Sequence, residues 1–246
     1  MGVGVSAIDM KDALGNIDQW ITSDQRQYVC VCPVHAVMEG FRSPELKRII
    51  NAAGMATPDG MPIVWLSRLS GRRNVRRVYG PDLMLAEMAR SASTGHTHFL
   101  YGGRPGVVER LAERMEHTFG GVRIVGTFTP PMGRVEDLCS DEAADAINQT
   151  DPDIVWVGIG SPKQELWMSL MRPRLQARVL IGVGAAFDFH SGLVRQAPRL
   201  IQRSGFEWLF RLVQDPRRLW RRYLVANTRF LFEIALQGAG LRRYRL

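Results

Sequence analysis

The chain has 246 residues, of which 46% are hydrophobic and 23% charged, so it can bury a sizeable core and is not a disordered segment. Its three cysteines complete no metal-ligand set, which indicates a reducing compartment. The first residues lack a basic segment followed by an apolar run, and no stretch of about 18 apolar residues occurs, so we expect neither a secretion signal nor a spanning helix. These features predict a cytoplasmic protein that is either soluble or peripheral to the membrane.

The net charge of +8 is unevenly distributed along the chain. Residues 195–246 contain twelve arginines and three carboxylates, a balance of +9, which leaves −1 for residues 1–194. We therefore divide the chain into a near-neutral body (residues 1–194) and a basic, helical tail (residues 195–246). Such a tail predicts an anionic partner, and phospholipid, a diphosphate and nucleic acid all remain open on this ground.

Apolar runs alternate with helical patterns throughout the body, which is typical of a doubly wound α/β fold with a mostly parallel, Rossmann-like sheet. Ser43 and Pro44 form a helix start, with an N-cap residue followed by proline at the first helical position. The predicted strands are 28–32, 54–57, 97–101, 122–126, 154–159 and 179–183. The predicted helices are 44–53, 61–69, 82–93, 105–118, 140–148 and 163–171.

The first strand-end loop with candidate chemistry is residues 58–62, where Asp59 and Gly60 precede a helix that begins at Met61. Ligands bind beyond the carboxyl ends of the strands in open α/β sheets, so a carboxylate at this position can act as a general base. Aspartate is also a common N-cap residue, and the spacing alone favours that structural role for Asp59.

Two glycine turns, residues 101–106 and 158–165, each connect a strand to a helix. The free N–H groups and the dipole of a helix start favour phosphate at such turns. Neither turn completes the dinucleotide-binding fingerprint, because Lys163 stands where the third glycine is expected in the second turn. Glycines needed only for tight packing are equally compatible with both turns. The candidate residues are Gly102, Gly103, Gly160, Lys163, Gln164 and Glu165.

The last strand-end loop, residues 182–190, contains Asp188 and His190. Asp188 is a candidate for holding a ribose or sugar hydroxyl. His190, which follows Phe189, is interpreted as a packed surface histidine without a role in binding.

An Asp-x-Asp sequence, which many sugar transferases use to hold a metal ion with the donor diphosphate, occurs at Asp151 and Asp153. Both residues precede the strand predicted at 154–159, so they fall at the opposite edge of the sheet from the ligand loops. This position favours a structural turn. We predict no metal and no other cofactor, and arginines and helix N-termini would then neutralise a leaving diphosphate.

The tail contains turn signals at Gly205 and Asp215, and a helix is predicted from about Pro216. This helix has a basic and amphipathic pattern, because arginines and apolar residues fall on opposite faces. The arginines are Arg217, Arg218, Arg221 and Arg222. The opposite face comprises Leu219, Trp220, Tyr223, Leu224, Phe230, Leu231 and Ile234.

A resemblance to a known family rests on several segments in the same order: residues 158–165, 182–188, 197–198, 207–208 and 215–223. With these segments the chain resembles the WecG/TagA/CpsF glycosyltransferases from about Tyr28 to Leu231. The resemblance implies inverting, metal-independent transfer from a UDP-sugar donor to a polyprenyl-diphosphate-linked sugar acceptor. The transferred sugar in this family is often N-acetylmannosamine or its uronic acid, and in some members glucose.

The resemblance also implies roles for individual residues. Asp59 matches the family's aspartate base, Gln164 its glutamine, Arg77 its substrate-contacting arginine and Asp188 its donor-side aspartate. The tail matches a C-terminal appendage that docks on the membrane and supplies arginines to the diphosphate. In this chain those arginines are Arg211, Arg218 and Arg221.

The chain departs from the family after the first strand, where Val31-Cys32-Pro33 replaces the usual Thr-x-Asn. Both polar side chains are lost, and Pro33 has no backbone N–H to donate. We therefore expect a different sugar, a different acceptor or reduced activity.

Two other function classes remain open. A nucleotide-cofactor oxidoreductase would require a complete glycine fingerprint followed by an acid about 20 residues later, which the chain lacks. A nucleic-acid-binding module could use the basic tail, but arginines opposite an apolar stripe fit an anionic membrane surface at least as well, at about 1 kcal/mol per basic residue. We therefore expect the tail to bind an anionic membrane surface and not nucleic acid. The sequence is also compatible with a tail helix that only packs on the body and exposes its arginines to solvent. A homo-oligomer is possible as well.

Overall fold

One sheet of six parallel strands lies at the centre of the computed structural model, which describes residues 1–244 except for the side chains at positions 203, 218 and 222. Neighbouring strand residues pack into hydrophobic clusters on opposite faces, as Val29 and Cys30 do. Strands buried on both faces have nearly continuous apolar sequences, and these apolar runs made the strands predictable from the sequence. The strands are β1 (Gln27–Cys32), β2 (Met55–Pro58), β3 (Thr97–Gly102), β4 (Arg123–Phe128), β5 (Ile154–Gly158) and β6 (Val179–Gly182).

Helices cover both faces of this sheet, which has the strand order β2-β1-β6-β5-β3-β4. The prediction of a doubly wound α/β fold is therefore confirmed. The first helices are α1 (Met10–Thr22), α2 (Val34–Arg42), α3 (Pro44–Ala52), α4 (Met61–Leu69) and α5 (Gly80–Thr94). The others in the body are α6 (Val107–Thr118), α7 (Val135–Leu138), α8 (Asp141–Thr150), α9 (Lys163–Met171) and α10 (Ala186–His190). Buried residues of α2, α3, α8 and α9 pack on one face, and those of α1, α5, α6 and α10 pack on the other.

Local signals placed some helices correctly and missed others. Ser43 caps α3, because its Oγ accepts a hydrogen bond from the Leu46 N–H at 3.2 Å. The sequence did not predict α1, α2, α7 or α10. In α2, Gly40 weakens the helical signal, yet a Cβ at this position would lie 3.1 Å from a methyl group of Val3 and 3.2 Å from Ile50. Close packing therefore explains a glycine inside this helix.

All six carboxyl strand ends lie at one edge of the sheet, because the strands are parallel. The loop after β2 holds Asp59, and the loop after β5 leads to Gln164 in the first turn of α9. This edge is where a doubly wound fold binds its ligands.

The tail folds against this same edge and against α2. It consists of α11 (Arg199–Arg203), α12 (Glu207–Gln214), α13 (Pro216–Trp220), a π-helical turn (Arg221–Val225) and α14 (Ala226–Gly238). Ala226 and Phe230 of α14 are buried in the cluster that also contains Cys30 and Cys32 of β1. Part of the tail therefore belongs to the hydrophobic core.

The residues predicted for the apolar face after Pro216 lie in different surroundings, and the amphipathic character of this segment stays a prediction. Leu219 and Phe230 are buried, whereas Trp220, Leu224 and Leu231 are 44%, 48% and 65% exposed. The π-helical turn contains more residues per turn than an α-helix, so it changes the angular register between α13 and α14. Across residues 1–244, no helix is both long enough and apolar enough to cross a bilayer.

Candidate active site

A cleft of about 1060 Å³, counting its open mouth, lies between the carboxyl ends of the strands and the tail. The body contributes the ends of β1, β2 and β6 and the start of α9, and the tail contributes α12 and the π-helical turn. The lining contains several polar or charged residues. They include Asp59, Arg77, Tyr79, Gln164, Glu207 and Arg211.

Asp59 is buried directly after β2, with only 8% of its surface exposed. Gly60, at φ +93°, is the N-cap residue of α4, and no side chain among the described residues caps this helix. The interpretation of Asp59 as a helix cap is therefore wrong, because the turn at Gly60 leaves its carboxylate facing Arg77. Burial raises the pKa of Asp59 to about 6; Arg77 opposes this rise and Glu207 adds to it.

Arg77 lies between carboxylates from the body and from the tail. Its Nε and Nη2 each donate to Oδ1 of Asp59 at 3.4 Å, and Nη2 also donates to Oε2 of Glu207 at 2.5 Å. Its Nη1 donates to the backbone oxygen of Gln202 at 3.3 Å. The guanidinium also packs 4.0 Å from the ring centroid of Tyr79. Five donors in a planar fork allow arginine to serve all these partners together.

Sequence reasoning missed the contribution of Glu207 to this site. Glu207 is the first residue of α12 and is 7% exposed, and its Oε1 accepts a hydrogen bond from the Tyr79 hydroxyl at 2.5 Å. A signal was present, since Glu207-Trp208 is one of the segments that carry the family resemblance. In the charge balance, however, Glu207 counted only as one of three carboxylates in a basic tail.

Gln164 enters the cleft from the first turn of α9 and is 3% exposed. Its Nε2 donates to Oε1 of Glu165 at 3.2 Å, while its Oε1 is buried without a hydrogen-bond partner in the described part of the chain. Gly160, at φ +85°, also lines the cleft just before α9, and a Cβ built there would meet open space. The cleft that contains Asp59 therefore also offers an amide acceptor and a helix start.

Other predicted residues lie around this cleft without lining it. Lys163 is exposed and donates to the backbone oxygen of Gly133 at 2.7 Å. Gly102 is at φ +128°, and a Cβ there would lie 2.7 Å from the backbone of Gly158, so close packing of β3 against β5 requires this glycine. Within residues 1–244, the predicted site residues outside the lining are Gly102, Gly103, Lys163, Glu165, Asp188 and Arg221. Their roles in substrate binding stay predictions.

Asp188 and His190 both lie in α10. Asp188 is partly exposed, with Oδ1 at 3.8 Å from Nη2 of Arg104, and its neighbour Phe189 lines the cleft. His190 is buried, and its Nε2 lies 3.0 Å from the backbone oxygen of Pro81. The interpretation of His190 as a surface residue is therefore wrong, and the absence of a binding role for it stays a prediction. Burial lowers its pKa.

The arginines predicted from the tail differ in their positions. Arg211 lines the cleft, and its guanidinium carbon lies 5.3 Å from the ring centroid of Phe189. Arg221 is exposed and lies over the ring of its neighbour Trp220 at 5.2 Å. The side chain of Arg218 lies outside the described residues. Of these three positions, the structure brings Arg211 to Asp59 and Arg77.

The Asp-x-Asp sequence has a structural role at the opposite edge of the sheet. Asp153 accepts hydrogen bonds from the N–H and the hydroxyl of Thr97 at 2.8 and 2.9 Å, which ties the starts of β3 and β5 together. Asp151 pairs with Arg178 at 2.8 Å. In the part of the chain that the structure describes, no three His, Cys, Asp or Glu residues form a group that could hold a metal ion.

The departure from the family motif lies in the cleft itself. Val31 and Pro33 both line it, and Pro33 is the N-cap residue of α2, where no side chain forms a capping hydrogen bond. The wall formed by β1 is therefore apolar at the two positions where the family resemblance predicts polar side chains.

Comparison with known proteins gives a consistent result. A model of the glycosyl transferase WecG/TagA/CpsF family matches residues 1–244. A relative in Bacillus spizizenii, an N-acetylglucosaminyldiphosphoundecaprenol N-acetyl-β-D-mannosaminyltransferase, is 33% identical over 186 residues, which cover 76% of this chain and 70% of the relative. The family match spans the body, the cleft and nearly all of the tail. The chain therefore belongs to the WecG/TagA/CpsF family and is a glycosyltransferase.

Proposed function

We propose that this glycosyltransferase moves a hexose derivative from a UDP-sugar to a sugar carried on polyprenyl diphosphate, in the synthesis of a cell-surface polysaccharide or teichoic acid. The relative in Bacillus spizizenii supports this substrate class, because its name specifies an N-acetylmannosaminyl group and an undecaprenol-diphosphate-linked N-acetylglucosamine acceptor. The observation that carries the proposal is the buried Asp59 carboxylate, which faces Arg77 in a cleft at the ligand-binding edge of the sheet.

In the reaction we propose, an acceptor hydroxyl oxygen attacks the anomeric carbon of the donor from the side opposite the UDP. Asp59 takes the hydroxyl proton as the new bond forms, the bond to the diphosphate oxygen breaks, and UDP leaves with that electron pair. The anomeric configuration inverts because a single displacement occurs. A carboxylate with a pKa near 6 is a stronger base than an ordinary aspartate and is still ionised at neutral pH.

The leaving diphosphate requires positive charge, and the cleft offers two sources of it. Arg211 enters from the tail, and α9 begins just after Gly160, so the positive end of its helix dipole lies at the cleft. Gln164 would bind a donor hydroxyl or amide through its unpaired Oε1. We propose that these groups replace a metal ion at the diphosphate.

We further propose that the tail binds the anionic surface of the cell membrane, where a polyprenyl-linked acceptor is embedded. Its short helices expose large apolar side chains among arginines, including Leu200 (82% exposed), Phe206 (57%) and Val213 (75%). Apolar side chains beside basic ones are typical of helices that lie at a membrane interface.

The test is to supply the purified full-length protein with a panel of UDP-sugars and a polyprenyl-diphosphate-linked N-acetylglucosamine, and to measure UDP release together with the mass of the lipid product. We expect one UDP-sugar to give a product heavier by one sugar residue. Failure of every donor with this acceptor and with related lipid-linked sugars would contradict the proposal.

A further inference from the structure

The contact between Glu207 and Arg77 joins the tail to the catalytic edge of the body. We propose that Glu207 is a positioning residue, which holds Arg77 away from full pairing with Asp59 and so keeps the base reactive only when the tail is docked. This inference rests on the proposed role of Asp59 as the general base. It adds a residue of the tail to the control of that base.

The geometry shows which carboxylate holds Arg77 more closely. Nη2 of Arg77 lies 2.5 Å from Glu207 but 3.4 Å from Asp59, and the second contact to Asp59, from Nε, is also 3.4 Å. A distance of 3.4 Å is long for a charge-assisted hydrogen bond, whereas the contact to Glu207 is short. The arginine is therefore paired mainly with the tail and only loosely with the candidate base.

The position of Glu207 is fixed from both sides. One oxygen accepts from Arg77 and the other accepts from the hydroxyl of Tyr79, and the carboxylate is almost fully buried. The tail also accepts from Arg77 through the backbone oxygen of Gln202, at 3.3 Å. Among the described residues, two of the three groups that hydrogen-bond the Arg77 guanidinium come from the tail. Undocking of the tail would therefore leave Arg77 paired with Asp59.

The pKa of Asp59 depends on how the charge of Arg77 is shared between Asp59 and Glu207. With Glu207 docked, the guanidinium charge is divided between two carboxylates, and the negative charge of Glu207 helps to raise the pKa of Asp59. Without Glu207, Arg77 would face Asp59 alone and would lower the pKa of Asp59, making it a weaker base. Among the described residues, the charged or titratable groups that act on Asp59 are Arg77 and Tyr79 from the loop before α5, Glu207 and Arg211 from α12, and Cys32 from β1. His35 of α2 lines the same cleft, and Asp82 of α5 acts on Arg77 and Glu207.

The tail contains a matched control for Glu207. Glu233 of α14 is also buried, and it also accepts hydrogen bonds from an arginine and a tyrosine, from Arg242 at 2.7 Å and from Tyr244 at 2.5 Å. It does not line the cleft that residues 1–244 form. A Glu→Gln change at this position removes the same charge from a similar setting within the tail.

The experiment compares the wild-type protein with Glu207→Gln, Glu207→Asp and Glu233→Gln, and measures kcat/KM for transfer to a water-soluble acceptor across pH 5 to 9. For Glu207→Gln we expect the acid limb of the profile to move to lower pH by about 0.5 to 1 unit and the plateau to fall roughly 3- to 10-fold, because a weaker base transfers the proton less well. Glu207→Asp keeps the charge and should keep the acid limb near that of wild type. Glu233→Gln should not move it.

A direct titration keeps the inference testable if Glu207→Gln is too slow to assay. The carboxyl carbons of ¹³C-labelled aspartates are followed by NMR against pH, and the Asp59 signal is identified by its absence in Asp59→Asn. A lower Asp59 midpoint in Glu207→Gln supports the inference. An unchanged midpoint, or an equal change in Glu233→Gln, would overturn it. Absence of transfer by the wild-type protein would contradict the proposed function instead, and the NMR result would still report the coupling.

Discussion

Asp59 is the residue whose substitution tests the proposed chemistry most directly. Asp59→Asn preserves the shape of the side chain but cannot accept the hydroxyl proton, so we expect turnover to fall about 100-fold or more while UDP binding changes little. Steady-state rates of UDP release and calorimetric titration with UDP measure the two effects. Turnover near the wild-type rate in this variant would exclude Asp59 as the base.

The acid limb of the wild-type profile should also report Asp59. Because burial raises its pKa to about 6, the carboxyl becomes protonated as the pH falls through that value, and a protonated carboxyl cannot act as the base. We expect kcat/KM to decrease about tenfold for each pH unit below about 6. A limb centred near pH 4, the ordinary range of aspartate, would contradict the buried setting described here.

Asp151 and Asp153 supply a prediction about metal dependence. Their carboxylates are engaged with Arg178 and Thr97 at the edge of the sheet away from the cleft. We therefore expect EDTA to leave the rate of transfer unchanged, as measured by UDP release before and after chelation. Loss of activity that magnesium or manganese restores would show that the diphosphate depends on a metal ion after all.

At the residue scale, the sequence identified part of the site. The resemblance pointed to Asp59, Arg77, Gln164 and Arg211, which the structure brings together in one cleft, although spacing alone favoured a capping role for Asp59. Glu207 could not be found from local pattern. It meets Arg77 from 130 positions away, and no periodicity or spacing encodes such a contact.

At the scale of elements, α14 packs part of the tail into the core of the body. Phe230 is 2% exposed in the core, whereas Phe232 on the same helix is 59% exposed. Phe230→Ala should reduce the free energy of unfolding by about 3 kcal/mol, because it leaves a cavity against the body. Phe232→Ala should change it by less than about 0.5 kcal/mol. Urea unfolding monitored by tryptophan fluorescence measures both, and similar losses in the two variants would contradict this packing.

Burial and close packing explain which strands and helices could be predicted from the sequence. Strands buried on both faces were located within one or two residues of their ends, and α4 and α9 were predicted with the correct ends. The sequence did not predict α2, because Gly40 has a low helix propensity and is present for close packing against Val3 and Ile50. The pattern of the tail did not predict the π-helical turn, which changes the register between α13 and α14.

At the scale of the whole molecule, the separation of charge predicts an orientation on the membrane. A +9 tail on a −1 body should turn its arginines toward an anionic surface. Neutralising Arg217 and Arg222 with glutamine removes about 2 kcal/mol of attraction, or roughly 30-fold in binding. Sedimentation with vesicles that contain anionic lipid at low salt measures the change.

Matched substitutions of Arg110 and Arg123, which are exposed on the body, provide the control for this experiment. They remove the same net charge and should leave vesicle binding nearly unchanged. Equal losses in the two double variants would mean that overall charge, not the tail, attracts the protein to the vesicle. Salt-sensitive binding of the wild-type protein to duplex DNA in preference to vesicles would favour nucleic acid as the anionic partner.

The docking of α14 on the body also has a consequence for synthesis on the ribosome. Ala226 and Phe230 belong to a core cluster that also contains Met1 and residues of β1, and Glu207 contacts Arg77, which is translated long before it. A nascent chain that has emerged only as far as β6 has its sheet but lacks the tail side of its cleft and part of its core. The cleft can therefore form only after nearly the whole chain has been synthesised. A transcript truncated within its last few dozen codons should yield an inactive protein, and its nucleotide-sugar donor would not be consumed.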